Sequence, residues 1–425
     1  MDHIDYFIYM NLAEYLSQEW VPALGCTEPA SIAYAGTNAA KQIPGPVRSC
    51  SVTVDPKIYK NCHAVGIPHS GHKTGIKWAA ALGCFLENDS AELECFRGID
   101  EATLTKASAL IDHNKVGISV DTTRHDLFID FEVRGDKDIG RCSIEGTHTN
   151  IALIAKNGRA IVRSHRDTGN QKTDSARRWA ASLSIQTMLE LVKNLDQETR
   201  SRIRNGTGLN IAIAEHGLTL FPESFVKMTQ TDLLTRISGL VCAGVYARMW
   251  GEDFPVMSVA GSGNKGIVCS VPLMLLEKEW NPGASKIEEG LALAMLFTSK
   301  TTQELGTLSA VCGCSNAAGI GLASALVYLQ GGEEQEISLA INNMVGNVTG
   351  MICDGAKIGC ALKTMTSVDA AFRATALAMS GIGIPYSDGI VGRTGSESLS
   401  NLGKIATKGM IRTDEEILKI MKKKL

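Results

Sequence analysis

Four cysteines sit in two glycine-rich stretches of the chain. "AVCGCSNAAG" carries Cys312 and Cys314, and "GMICDGAKIGC" carries Cys353 and Cys360. Cysteine sulfur ligates zinc and iron, yet free cysteine is also an ordinary small core residue. Three readings are open. The first is a closed zinc site of four thiolates, although zinc pairs usually come as C-x2-C and the spacings here are C-x-C and C-x6-C. The second is plain core packing. The third is an iron–sulfur cluster, which needs an apolar shell with backbone N–H groups near the sulfurs. Glycine-rich turns at helix ends supply that shell. If only three thiols held a four-iron cluster, one iron would stay open as a Lewis acid, and Cys314 would be left beside it.

Two other stretches could do chemistry. "LGCTEPAS" places Cys26 where a helix begins, so the helix dipole favours a thiolate while Glu28 opposes it. A thiolate there is a base or a nucleophile; a capped, buried cysteine is the plain alternative. "VAGSGNKGIV" is a glycine loop whose Gly261, Ser262, Gly263, Asn264 and Lys265 could hold a carboxylate or an amine. It is neither a P-loop nor a dinucleotide fingerprint, and a tight turn explains it equally well. His69 and His72 lack a third ligand at a sensible spacing and read as loop residues with ordinary hydrogen bonds. His148 reads as structural.

The elements that must position these residues follow from pattern. The chain has 425 residues, 44% of them hydrophobic, and a net charge of −3. That is enough length for two or three domains and a large core, with no basic field for nucleic acid. Twelve cysteines without paired spacing read as reduced thiols. Asp2 and Asp5 stand where a signal peptide carries Lys or Arg, so a cytoplasmic protein is expected. The uncharged run from Leu305 to Gly332 is long enough to span a bilayer, but its Ser, Asn, Gln and Gly residues predict a buried helix and no membrane contact.

Residues 1–45 predict helices, with Thr27-Glu28-Pro29 opening the second. Residues 46–175 mix strands ("CSVTVDP", "KVGISVD", "LFIDFEVRG", "IALIAKNGRAIV") with helices ("GIKWAAALGCFLEND", "DEATLTKASALIDHN"). Beyond 175 the helical rhythm resumes. The expected fold is α+β: a helical domain of 1–45 and 176–425 carrying the cysteine site, with an α/β sandwich inserted at 46–175. A helix over 317–329 and another over 334–345, joined at Gly331-Gly332, would run antiparallel and bring Cys312 and Cys353 to one end.

Taken together, "GCTEPA", "AGSGNKG", "CGCSNAAG" and "MICDGAKIGCALK" resemble the L-cysteine desulfidase family and, more distantly, the α portion of iron–sulfur L-serine dehydratases. The resemblance covers nearly the whole chain. It implies a lyase that converts L-cysteine to pyruvate, ammonia and hydrogen sulfide on a [4Fe-4S] cluster, without pyridoxal phosphate. By motif, the cluster ligands fall on Cys312, Cys353 and Cys360, and the proton acceptor on Cys26. Asp354-Gly355-Ala356-Lys357 replaces the longer, proline-containing spacing of the serine dehydratases, which favours the desulfidase branch. L-Serine dehydration, an iron or oxygen sensor and an electron carrier are the alternatives. The expected partner is a small amino acid, and the assembly is left open, a homodimer included.

Overall fold

The computed structural model describes residues 10–87, 92–124, 126–164, 171–306 and 309–424. The N-terminal acidic residues, most of the polar linker before residue 171, and residues 307–308 of the uncharged run lie outside the described residues.

The chain opens with helix α1 (Leu12–Glu19), capped by a reciprocal Asn11–Glu14 box, and a short strand β1 (Val21–Leu24). Helix α2 (Thr27–Ala40) follows, then β2 (Ser49–Val54), α3 (Pro56–Cys62), α4 (Gly75–Gly83), a 3-10 turn at Glu92–Gly98 and α5 (Glu101–Asp112). Strands β3 (Val116–Val120), β4 (Phe128–Arg134), β5 (Ile139–Glu145), β6 (Ile151–Lys156) and β7 (Arg159–Arg163) complete a six-stranded sheet in the order β3-β2-β4-β5-β6-β7. Only β2 and β3 run parallel; every other neighbour is antiparallel.

Helices then take over. They are α6 (Gln171–Ser182), α7 (Ile185–Lys193), α8 (Gln197–Leu218), α9 (Glu223–Met228) and α10 (Leu233–Trp250). Strand β8 (Pro255–Ser258) pairs antiparallel with β1. Next come α11 (Gly263–Trp280), α12 (Ala284–Leu305), α13 (Gly313–Leu329), α14 (Glu334–Val348), α15 (Gly359–Met379) and α16 (Gly395–Lys404). A π turn at Ile405–Gly409 leads to the last helix, α17 (Ile411–Lys422). The fold is α+β, as the pattern predicts.

There are two apolar cores. One gathers α1 with the helices from α6 to α16; the other gathers the sheet with α2 to α5. In the N-terminal stretch the cores meet at Cys26, earlier than the 45/46 division expected from the pattern. Cys26 packs in the helical core, whereas Ala30 to Ala39 pack on the sheet. α17 likewise joins the sheet core through Ile417, Leu418 and Met421.

α13 accounts for the uncharged run. From Ser315 to Tyr328 its residues are buried within the helical core. Glycine lets neighbours approach closely: a Cβ at Gly321 would strike Thr298 Oγ1 and the Ala294 carbonyl of α12. Its buried hydroxyls are satisfied locally, Ser324 donating to the Ile320 carbonyl at 2.9 Å. Among the described residues, no helix is long and apolar enough to cross a membrane.

Candidate metal centre and catalytic base

The two cysteine stretches meet through a minimal piece of sheet. Val311 and Ile352 form an isolated antiparallel bridge. Beside it the Cys312 N–H donates to the Met351 carbonyl at 2.8 Å, and the Cys353 N–H to the Ala310 carbonyl at 2.6 Å. The α13–α14 hairpin returns the chain to where it began, as predicted. Cys312 is the N-cap of α13, so the helix starts four residues earlier than the expected Ala317. Cys360 lies in the first turn of α15. Two of the four thiols thus face the positive ends of helices.

The loop between Cys353 and Cys360 is held shut by its own charges. Asp354 pairs with both Lys357 and Lys363. Gly355 has φ +92°, and a Cβ there would overlap the Lys60 carbonyl of α3. Glycine is therefore required twice over, for the left-handed turn and for the contact.

The thiols respond to one another. Burial raises the Cys312 pKa, and the charges of Cys314, Cys353 and Cys360 raise it further. Cys360 is pushed up to about 12 by burial, then by Cys314 and Cys353. Cys314 is more open than Cys312, and its sulfur lies 3.5 Å from Ser262 Oγ. After burial, Cys314 is the first cause that raises both Cys312 and Cys360.

Such mutually opposed thiols ionise together only around a cation. Among the described residues, no three Cys, His, Asp or Glu side chains are close enough to share one metal ion. An iron–sulfur cluster does not need them to be, because each thiolate takes its own iron. The Asn316 amide oxygen, on the same first turn of α13, is buried without a hydrogen-bond partner, a polar vacancy at this helix start. The residues fit an iron–sulfur cluster better than a single zinc ion.

The glycine loop is shorter than its sequence suggests. It turns through Ala260 (φ 47°) and Gly261 (φ 72°), and α11 already begins at Gly263. Ser262 gives no side-chain cap, so the N–H groups of the first turn have no intrahelical acceptor. Asn264 and Lys265 point inward. Asn264 Oδ1 accepts from Arg248 Nη1 at 2.8 Å. Lys265 Nζ donates to the Ala260 carbonyl at 3.1 Å and Thr302 Oγ1 at 2.9 Å. Burial lowers the Lys265 pKa to about 8 despite the nearby Cys314.

Cys26 is the N-cap of α2 and is buried. Its thiol donates to Glu28 Oε2 at 2.8 Å. Burial first, then the Glu28 charge, raise its pKa well above 9.0, and Arg248 only partly offsets them. The helix dipole does not yield a thiolate here; the resting group is a thiol. Glu28 also accepts from Asn61 Nδ2 at 2.7 Å and Thr27 Oγ1 at 3.3 Å. Burial works to raise its carboxyl, but His148, Cys26 and Asn61 hold it at about 2. His148 is fixed over the dyad: its carbonyl accepts from Ser31 Oγ at 2.6 Å, and its Nε2 lies 3.4 Å from Thr27 Oγ1.

Two short routes join Cys26 to the other thiols. One runs from Glu28 to Asn61 on α3, whose backbone lies against Gly355. The other runs from the Gly25 carbonyl to Arg248 Nη2 (2.6 Å) and on to Asn264, beside Ser262 and Cys314. Cys26 and the cysteine cluster therefore lie on one seam between the two cores. His69 and His72 lie elsewhere, docking their loop on the helical core. His69 faces Asp253 at 3.2 Å, and His72 stacks on Trp250 with centroids 5.2 Å apart.

Residues 138–419 match the family model for the serine dehydratase alpha chain. The chain belongs to the serine dehydratase alpha chain family. It is also 35% identical to a UPF0597 protein of Geobacter sulfurreducens, over 96% of this chain and 97% of that protein. A UPF0597 protein of Clostridium tetani is 36% identical over 96% of this chain and 97% of its own length. One from Elusimicrobium minutum is 34% identical over 98% and 100%. Membership in the serine dehydratase alpha chain family makes the chain a lyase-type enzyme with an iron–sulfur centre. The matched region contains all four thiols and the 261–265 loop; Cys26 lies ahead of it.

Sequence reasoning missed Arg248, Asn61 and Glu28 as organisers of this site. Glu28 alone left a signal, as an acid two residues from a cysteine at a helix start.

Proposed function

We propose that the chain is a β-eliminating lyase for a small amino acid, cysteine before serine. It forms pyruvate, ammonia and hydrogen sulfide from L-cysteine. A [4Fe-4S] cluster would be held by Cys312, Cys353 and Cys360, with Cys314 alongside and no pyridoxal phosphate. The observation that supports this reading is the backbone pairing of the Cys312 and Cys353 stretches at the Val311–Ile352 bridge, with Cys360 in the first turn of the next helix and Cys26 linked to the same seam.

When bound, such a cluster with one iron free of protein thiolate supplies a Lewis acid that acidifies the substrate α-proton. Cys26, as thiolate, accepts that proton, a general-base step worth about 10²–10⁴-fold. Hydrosulfide leaves the β-carbon, and the aminoacrylate tautomerises and hydrolyses in water. The first-turn N–H groups after Gly261 and Ser262 face the substrate carboxylate. Gly263, Asn264 and Lys265 keep that turn in place through Arg248 and Thr302.

A second reading, L-serine dehydration, is favoured by the family description itself. Hydroxide and hydrosulfide leave by the same route. Protein made and reconstituted without oxygen, given each amino acid in turn, separates the two. Pyruvate with sulfide from cysteine supports the first; pyruvate from serine alone supports the second. Iron-loaded protein that makes pyruvate from neither overturns both.

A further inference from the structure

Glu28 is 8% exposed and carries its charge in the resting protein. A buried carboxylate is normally paired with a cation. Here the hydrogen-bond donors are a thiol, an amide and a hydroxyl, all neutral. Among the described residues, no Lys, Arg or His nitrogen lies within ion-pair distance of it. Arg248 gives Nη2 to the Gly25 carbonyl and Nη1 to Asn264, while its Nε is buried without a partner. Burial lowers the His148 pKa against the pull of Glu28, and the ring acts on Glu28 only through space. Lys57, exposed on α3, acts on Glu28 only through space. A desolvated anion with no cation in contact thus stands beside the proposed base.

Resting on the lyase reading above, we infer that Glu28 is the specificity-determining residue that receives the substrate's α-ammonium, and that this pairing switches Cys26 from thiol to thiolate. Glu28 Oε1 accepts only from Asn61 and keeps lone-pair capacity, whereas Oε2 already accepts from Cys26 and Thr27. The ammonium neutralises the field that now opposes Cys26 ionisation, and the thiol proton passes to water. The sulfur is then free to take the α-proton. The groups facing Cys26 and Glu28 are Thr27 on α2, Lys57, Asn61 and Cys62 on α3, His148, and Arg248 on α10. Lys57 also acts through space on Lys265 and His148, so its cation adds to the field at this seam. The site would take an α-amino acid and reject the matching α-hydroxy acid.

L-Alanine and L-lactate share a skeleton without a β-leaving group and differ in this one substituent. Calorimetric titration of iron-loaded wild type should favour L-alanine by roughly ten- to a hundredfold, the worth of one charged hydrogen bond. Glu28→Gln, with folding checked by circular dichroism, should lose that preference. Its Cys26 should also be alkylated at lower pH, read peptide by peptide by mass spectrometry. A wild type without any preference, or a variant that keeps it, overturns the assignment. Titration of the wild type in buffers of different ionisation enthalpy needs no variant: L-alanine should release close to one proton and L-lactate none. Equal release from both overturns the switch. Pyruvate made by a wild type whose preference survives Glu28→Gln sinks this inference alone. A preference lost in the variant, with no pyruvate made from cysteine or serine, sinks the lyase reading alone.

Discussion

Val311 and Ile352 pair as a single antiparallel bridge, and that pairing sets Cys312 and Cys353 side by side at the start of α13 and the end of α14. Far apart in sequence, they become neighbours through two backbone hydrogen bonds.

The ligand assignment follows from that meeting. Cys312→Ala, Cys353→Ala and Cys360→Ala should each lose most of the iron and the brown colour after anaerobic reconstitution. Cys314→Ala should keep both. Iron analysis and visible absorption check this, and the reverse result for Cys312 and Cys314 would exchange their roles.

Cys26→Ala should separate binding of the cluster from turnover. Iron content should match wild type, while pyruvate formation falls by about 10²–10⁴-fold. A variant within a few-fold of wild-type rate would remove Cys26 from the reaction.

The pH dependence has a definite sign. Cys26 is held above its usual pKa, so at neutral pH the free enzyme carries few thiolates. Each unit of rising pH below that pKa multiplies their fraction about tenfold. kcat/KM should therefore climb with a slope near one from pH 7 upward. A flat profile would mean that the base is already ionised.

Gly355→Ala tests the loop. The substitution places a methyl group against the Lys60 carbonyl at a left-handed φ, a strain of about 1–3 kcal/mol or more. The loop should shift, and iron loading should fall with it. Stability loss is measured by urea titration, and a variant with normal iron and stability would contradict the packing described.

The Lys60–Asp414 pair, whose side chains are 6% and 19% exposed, ties α17 to α3. Asp414→Ala leaves a buried ammonium without a partner and should cost about 3–5 kcal/mol. The double variant Lys60→Met/Asp414→Leu should recover much of that in the same urea titration.

Much of this was legible in the sequence, for physical reasons. The uncharged run could only be buried, and α13 is. The alternating stretches expected as strands appear as β2, β3, β4 and the β6–β7 hairpin. β5 escaped notice because "IGRCSIE" sets Gly140 and Arg141 in its middle, which blurs alternation. β1 and β8 are too short, and each contains a proline. The helical rhythm that resumes beyond residue 175 is interrupted at Ser184, which caps a new helix start by accepting from the Thr187 N–H at 3.0 Å. At the site, residue types and motifs were readable, but the sign of the Cys26 shift was not. It depends on how deeply the helix start is buried, and burial is set by contacts between segments that no local pattern records.

α3 is only two turns long, yet three neighbours take their position from it. Asn61 steadies Glu28, the Lys60 carbonyl backs Gly355, and the Lys60 ammonium holds Asp414. A rotation of this one segment by a small angle would displace the base, the cysteine loop and the C-terminal helix in concert, so it acts as a common hinge pin on which the alignment of the seam turns.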